Sequence, residues 1–112
     1  MTFISFLLGV NNGYLSKYLV IWERDRSSWP IEHEERIALR VKMVEMTKQD
    51  IKEGRVSDWG VFVGGGAGYA VCEGNKVEVY KAVHRYLPYY NFEVKEVLTM
   101  DEVTEVLKSQ TK

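Results

Sequence analysis

A chain of 112 residues is long enough for one domain with a hydrophobic core and too short for two independent ones. Its 15 lysines and arginines and 16 aspartates and glutamates are interspersed and give a net charge of −1. This argues against a nucleic-acid partner, because neutralising phosphates requires a concentrated basic surface. The single cysteine, Cys72, cannot form an intramolecular disulfide, which favours a reducing, cytoplasmic location.

The N-terminal segment MTFISFLLGV is apolar, but it has no basic residue before the apolar run. Asn11, Asn12 and Gly13 end that run well short of a membrane span. We therefore expect a soluble protein with no membrane partner. Residues 1–16 are predicted to be an N-terminal extension or an extra strand, and residues 17–112 to form the single domain.

The run from Tyr18 to Glu23 is β-rich and almost continuously apolar, so it predicts a first strand with both faces buried. Ser28, before Trp29 and Pro30, provides a helix start, and the sequence predicts a long amphipathic helix from Pro30 to Glu53. Gly54 then offers a left-handed stop. The predicted inward stripe of this helix is formed by Ile37, Val41, Val44 and Ile51, widened by Leu39, Met43 and Met46.

Two short β-type runs, DWGVFVG and GYAVCEG, flank a glycine cluster, which predicts a hairpin. The cluster is not a phosphate-binding loop, because a strand and not a helix follows it and no Gly-Lys pair occurs. We interpret Gly64, Gly65, Gly66 and Gly68 as turn and bulge residues. Glycine within a strand also allows a ligand or another backbone to approach closely.

Asn75 and Glu78 have the spacing of a capping box and predict a second helix, which Pro88 ends. Its predicted inward stripe is Val79, Tyr80, Val83 and Leu87. The run NFEVKEVLT then alternates as a strand, and its polar face suits the edge of a sheet. Thr99 and Glu102 repeat the capping-box spacing and open a short terminal helix.

This order of elements predicts an α+β fold of the ferredoxin-like βαββαβ type. It contains a four-stranded antiparallel sheet with two main helices on one face and a short C-terminal helix. The predicted strands are apolar on both faces, whereas two helices cover only one face. We therefore expect a homodimer, or a higher oligomer of dimers, in which a partner sheet covers the second face.

Two titratable residues are candidate proton carriers. Glu23 ends an apolar strand, and His84 is predicted on the inward side of the second helix. Trp22, Trp59, Tyr69 and Tyr89 are candidate ligand-binding residues, because aromatic rings form flat apolar walls. The alternative for each is a purely structural role in the core or at an interface.

No metal or cofactor is expected from the sequence. The segment HEERI begins like a zinc-binding helix motif, but Ile37 stands where the second histidine is required. His33 therefore has no partner that the sequence can identify. Cys72 lies within an apolar run and is interpreted as a small buried hydrophobe and not as a nucleophile.

Four features follow one another between Lys17 and Leu98: Glu23 on the first strand, Gly54 after the long helix, Trp59 with Gly68 and Tyr69 in the hairpin, and Leu87-Pro88-Tyr89 before the last strand. In these features and their order, the chain resembles the dimeric α/β-barrel superfamily and, within it, the small muconolactone isomerase-like proteins. The resemblance implies a dimeric α/β barrel.

Three functions stay open at this stage. The first is a barrel protein that binds a small metabolite. The second, which the resemblance implies, is a cofactor-independent isomerase or monooxygenase in which Glu23 or His84 moves a proton. The third is a structural or regulatory interaction module.

Overall fold

Strand β1 (Ser16–Arg24) lies inside a four-stranded antiparallel sheet in the computed structural model, which describes residues 16–110. It pairs with β3 (Ala67–Gly74) on one side and with β4 (Tyr90–Val97) on the other, and β2 (Val56–Val61) pairs with β3. The strand order β2-β3-β1-β4 is that of a ferredoxin-like unit. The predicted fold class is therefore confirmed. The prediction for the N-terminal extension falls almost wholly outside the described residues.

Three α-helices connect or follow these strands. Helix α1 (His33–Lys52) joins β1 to β2, α2 (Lys76–His84) joins β3 to β4, and α3 (Met100–Gln110) follows β4. None of the helices within residues 16–110 is long and apolar enough to cross a membrane. The polar last strand, β4, is at an edge of the sheet, as the sequence predicted.

The hydrophobic core lies between one face of the sheet and the helices. It contains residues from β1, β2, β3 and α2, namely Tyr18, Val20, Val56, Ala70, Cys72 and Val79. Alternation along β1 places Tyr18 and Val20 on this face and Leu19 and Ile21 on the other. Leu19 and Ile21 are only half-buried. The sequence predicted that both faces of β1 are buried. In the single chain, only the face of Tyr18 and Val20 is buried.

The predicted start of the long helix was wrong by three residues. Ser28 does not cap α1, because it ends a short 3-10 turn (Arg26–Ser28) in which its hydroxyl donates to Oδ2 of Asp25. Asp25 is the cap of that turn. Helix α1 begins at His33, and no side chain caps it. An Asp three residues before the serine thus competes successfully for its hydroxyl group.

The predicted inward stripe of α1 was only partly right. Met43 is buried and Leu39 and Met46 are half-buried, as predicted, but Ile37, Val41, Val44 and Ile51 remain about half exposed. The other buried residue of this helix is Asp50, whose carboxylate is paired with the guanidinium groups of Arg55 and Arg85. In α2, Val79 is buried as predicted, but Tyr80 is exposed. Leu87 is exposed as well and lies beyond α2, which ends at His84 and not at Pro88.

The glycine cluster forms the predicted hairpin turn between β2 and β3. Gly65 and Gly66 have φ values of 83° and 78°, which side chains on L-residues rarely adopt. The amide of Phe62 donates to the carbonyl of Ala67, and the amide of Gly65 donates to the carbonyl of Phe62. The turn therefore needs glycine for its backbone conformation.

Candidate functional site

A cavity of about 80 Å³ lies between the core face of the sheet and helices α1 and α2. Every strand contributes to its wall, as do both helices and the segment that follows α2. Its lining is mostly apolar and aromatic, and comprises Val20, Trp22, Thr47, Asp50, Val56, Trp59, Ala70, Cys72, Ala82, Val83, Tyr86, Tyr90 and Phe92. An apolar pocket with a few polar groups at one side is the usual form of a small-molecule site.

The flat wall of the cavity is a pair of stacked indole rings. Trp22 on β1 and Trp59 on β2 have ring centroids 5.8 Å apart and are inclined by only 11°. The ring of Tyr90 packs perpendicular to the ring of Trp22, with the two ring centroids 5.6 Å apart. Trp59 is 37% exposed, so it marks the mouth of the cavity.

Gly68 makes room for this aromatic wall. A Cβ atom at Gly68 would lie 2.4 Å from the ring of Trp22 and 2.1 Å from the carbonyl oxygen of Gly60. Strand β3 separates β1 from β2, so the two tryptophans stack across it only because Gly68 has no side chain. This glycine therefore belongs to the site and not to the turn.

The polar corner of the cavity is centred on Asp50, which is 2% exposed. Its Oδ1 atom accepts hydrogen bonds from Nε of Arg55 at 2.9 Å and from Nη1 of Arg85 at 2.8 Å. Its Oδ2 atom accepts a hydrogen bond from the hydroxyl of Tyr86 at 2.6 Å. Thr47 completes the corner, because its Oγ1 atom lies 3.3 Å from the Tyr86 hydroxyl.

The environment of this corner fixes the protonation states of its members. Burial alone would raise the pKa of Asp50, but hydrogen bonds from Tyr86, Arg85 and Arg55 lower it below the ordinary aspartate value. Burial, together with the hydrogen bond to Asp50, raises the pKa of Tyr86. Burial and the Asp50 charge raise the pKa of Cys72 to about 11. At neutral pH, Asp50 is ionised, whereas Tyr86 and Cys72 are protonated.

Of the six site residues named from the sequence, the structure brings two to the cavity, Trp22 and Trp59. Glu23 is exposed and, by alternation along β1, lies on the sheet face opposite Trp22. His84 is exposed and stacks on Tyr80, with ring centroids 5.5 Å apart.

Neither of the two tyrosines named from the sequence lines the cavity. Tyr69 is on the opposite face of the sheet, where its hydroxyl donates to Oδ2 of Asp58 at 2.9 Å. Tyr89 packs its ring against Trp29 and accepts the indole N–H of that residue on its backbone carbonyl.

Sequence reasoning missed Thr47, Asp50, Arg85 and Tyr86. One signal could have identified Asp50, since it lies two helical turns after Met43 and therefore on the same face. An aspartate in the last turn of a helix is also unfavourable for the helix dipole unless a cation compensates it. No local pattern predicted Arg85 or Tyr86, because their contacts with Asp50 span 35 and 36 residues.

Among the described residues, 16–110, no group of three or more histidine, cysteine, aspartate or glutamate side chains could hold a metal ion. What the fold and the site define is a ferredoxin-like α+β domain with a pocket between its sheet and its helices. Residues 16–111 match the family described as Domain of unknown function (DUF3303), and the chain belongs to that family. No curated protein and no solved structure matches the chain.

Proposed function

We propose that this protein binds a small, flat, largely apolar metabolite in the cavity between its sheet and its helices, and that it does so as a cytoplasmic homodimer. The observation that carries this proposal is the cavity itself, in which the stacked rings of Trp22 and Trp59 face a single polar corner. Aromatic walls supply apolar contact area, and a few polar groups fix the orientation of a ligand.

The chemistry of the lining favours binding over proton transfer. A general acid or base works best when its pKa is near the operating pH. The pKa of Asp50 is lowered, the pKa of Tyr86 is raised and the pKa of Cys72 is about 11, so none of the three exchanges a proton readily at neutral pH. The lining therefore supports a ligand-binding role.

The alternative is a cofactor-independent isomerase or monooxygenase of the muconolactone isomerase type, as the sequence resemblance implies. In that case Glu23 or His84 carries the proton. Both are exposed and absent from the cavity lining, so this function requires a different substrate position. A second alternative is a structural or regulatory interaction module, which the exposed apolar residues of α1 and α3 favour.

The homodimer is proposed from the sheet face that the helices do not cover. Leu19, Ile21 and Val71 lie on this face and are only half-buried in the single chain. A second sheet packed against them forms a closed barrel and removes this apolar area from water, at roughly 25 cal/mol per Å². The cavity lies on the opposite side of the sheet, so dimer formation leaves it accessible.

The proposal is tested by a thermal-shift screen of small aromatic compounds, followed by two matched variants. A ligand that binds only the folded state raises the melting temperature. Val83→Phe places a ring in the cavity wall, whereas Val77→Phe makes the same change at an exposed position of the same helix. We expect Val83→Phe to abolish the shift and Val77→Phe to preserve it. Equal shifts in both variants would disprove binding in this cavity.

A further inference from the structure

We infer that the ligand of this cavity is an uncharged molecule that carries a hydrogen-bond donor, a hydroxyl or an N–H, on a flat ring, and that this donor binds beside the hydroxyl oxygens of Thr47 and Tyr86. The inference rests on the proposed function and specifies its ligand class. It follows from which acceptor each hydroxyl proton of the polar corner binds.

The hydroxyl proton of Tyr86 is already used in a hydrogen bond to Asp50. The carboxylate of Asp50 can only accept, so the 2.6 Å contact between the two side chains uses the single proton of the tyrosine hydroxyl. The guanidinium groups of Arg55 and Arg85 saturate the other carboxylate oxygen. The tyrosine oxygen therefore retains lone pairs and has no proton to offer.

The hydroxyl proton of Thr47 is also used in a hydrogen bond. Its hydroxyl donates to the backbone carbonyl of Met43 at 2.9 Å, and a carbonyl can only accept. The 3.3 Å contact between Thr47 and Tyr86 thus joins two oxygens whose protons both point elsewhere. A ligand donor within hydrogen-bond distance of both oxygens meets two acceptors, whereas a ketone, an ether or a carboxylate finds no donor there.

The charge balance of the corner excludes an ionic ligand. An anion would lie beside the ionised Asp50, whose two guanidinium partners are already bonded to it, and Arg55 also pairs with Glu53. The carboxylates of Asp50 and Glu53 are in turn balanced by the two guanidinium groups, so a cation finds no unpaired carboxylate in the corner. A neutral donor avoids both penalties, because it adds a hydrogen bond and no charge.

The volume of the cavity limits the ligand to a small molecule that extends to its mouth. A closed apolar cavity of about 150 Å³ holds benzene, and the cavity here is about 80 Å³. A single ring is therefore only partly enclosed, with its donor in the corner and its outer edge beside Trp59, which is partly exposed. The aromatic side chains of Trp22 and Trp59 in the lining favour a flat ring as the body of the ligand.

The test compares phenol, toluene and benzoate on the wild-type chain at pH 7, with affinities measured by amide chemical-shift titration. Toluene replaces the phenol hydroxyl by a methyl group of similar size, and benzoate is an anion without a donor. We expect phenol to bind about fivefold to tenfold more tightly than toluene, since one satisfied hydrogen bond in a dry site is worth about 1–1.5 kcal/mol. Benzoate should not bind.

Two variants complete the experiment. Thr47→Val keeps the shape of the side chain and removes an acceptor oxygen, so it should reduce the preference for phenol over toluene to about threefold or less. Val83→Phe should abolish the binding of both compounds, and Val77→Phe is its control. An unchanged preference in Thr47→Val would overturn the inference.

The outcomes separate this inference from the proposed function. If toluene binds as well as phenol and Val83→Phe blocks both, the cavity binds ligands but the donor requirement is wrong. If none of the three compounds binds, or if Val83→Phe leaves their binding unchanged, the ligand class and the proposed cavity site both fail.

Discussion

The hydroxyl of Tyr86 lies 2.6 Å from Oδ2 of Asp50, although 36 residues separate the two in the chain. Asp50 is in the last turn of α1, and Tyr86 follows the end of α2. The contact therefore joins the C-terminal ends of the two helices that cover the sheet. Arg85 makes the same connection through the other oxygen of Asp50, so the position of both helices depends on one buried carboxylate.

Replacing Asp50 should destabilise the protein strongly. We expect Asp50→Ala to lower the free energy of unfolding by about 2–4 kcal/mol, because it removes a buried acceptor from three partners. The lower end of this range allows for the guanidinium groups of Arg55 and Arg85, which are 38% and 40% exposed and regain water. Urea denaturation at pH 7 measures the change.

A control for this variant lies on the same helix. Glu45 pairs with Lys48 at 3.5 Å on the surface, and both side chains are more than 60% exposed. Glu45→Ala should change the stability by no more than about 0.5 kcal/mol. Similar losses in the two variants would show that Asp50 contributes no more than a surface ion pair.

The stability should depend on pH through Asp50. Its pKa is lower in the folded state than in the unfolded chain, where an aspartate titrates near about 3.9. The ionised form therefore contributes stability that is fully present above about pH 4 and is lost as the pH falls through the folded-state pKa. We expect the stability difference between the wild type and Asp50→Asn to be constant from pH 7 to pH 5 and to narrow below pH 4. A difference that stays constant down to pH 2 would contradict this assignment.

Gly68 should tolerate no side chain. Gly68→Ala places a methyl group 2.1 Å from a backbone oxygen and 2.4 Å from the Trp22 ring, so we expect a loss of about 2–3 kcal/mol and a change in tryptophan fluorescence. Gly64→Ala is the control, because Gly64 has no atom near its Cβ position and no positive φ value. Its stability should match the wild type. Equal effects at the two glycines would show that the hairpin as a whole, and not the aromatic stack, sets the requirement.

Cys72 should be unreactive in the folded protein. It is buried and its pKa is about 11, so at pH 8 roughly one thiol in a thousand is ionised. We expect iodoacetamide to label Cys72 at least about a hundredfold more slowly in the native protein than in 8 M urea, a denaturing concentration on the order used for small domains. Mass spectrometry of quenched samples measures both rates. Rapid labelling of the native chain would indicate an open cavity wall.

A charge on the uncovered sheet face should prevent dimer formation. We expect Ile21→Lys to reduce the mass determined by light scattering from two chains to one, because the new ammonium group would be buried in the proposed interface. Val63→Lys is the control, since Val63 is fully exposed in the hairpin turn. It should leave the mass unchanged. A wild-type mass of one chain at micromolar concentration would disprove the dimer directly.

Local patterns in the sequence were sufficient to predict the fold. At Asn75 the side chain caps α2 by accepting from the amide of Glu78. At Thr99 the capping box is complete, since the amide of Glu102 donates to the Thr99 hydroxyl and the amide of Thr99 donates to the Glu102 carboxylate. Gly65 and Gly66 also form the predicted hairpin turn, with a left-handed backbone. Each of these features depends on residues within a few positions of one another, so a single sequence contains all the necessary information.

The candidate site was only partly predictable, because its polar corner depends on contacts between distant residues. Trp22 and Trp59 were found from their residue type and from the strands that contain them. Asp50 was missed because hydrophobic periodicity assigned the inward face of α1 to Ile37, Val41 and Val44. The carboxylate of Asp50 is buried with its ionic partners Arg55 and Arg85, and Arg85 follows the end of α2, 35 residues away.

The central position of β1 has a consequence for how the chain folds. Val20 pairs with Ala70 on β3 and with Val94 on β4, so both neighbours of the first strand come much later in the sequence. During synthesis, the apolar segment around Val20 therefore has no strand to pair with until β3 and β4 have been made. Closing such long loops costs entropy before any strand pairing compensates for it, which slows folding.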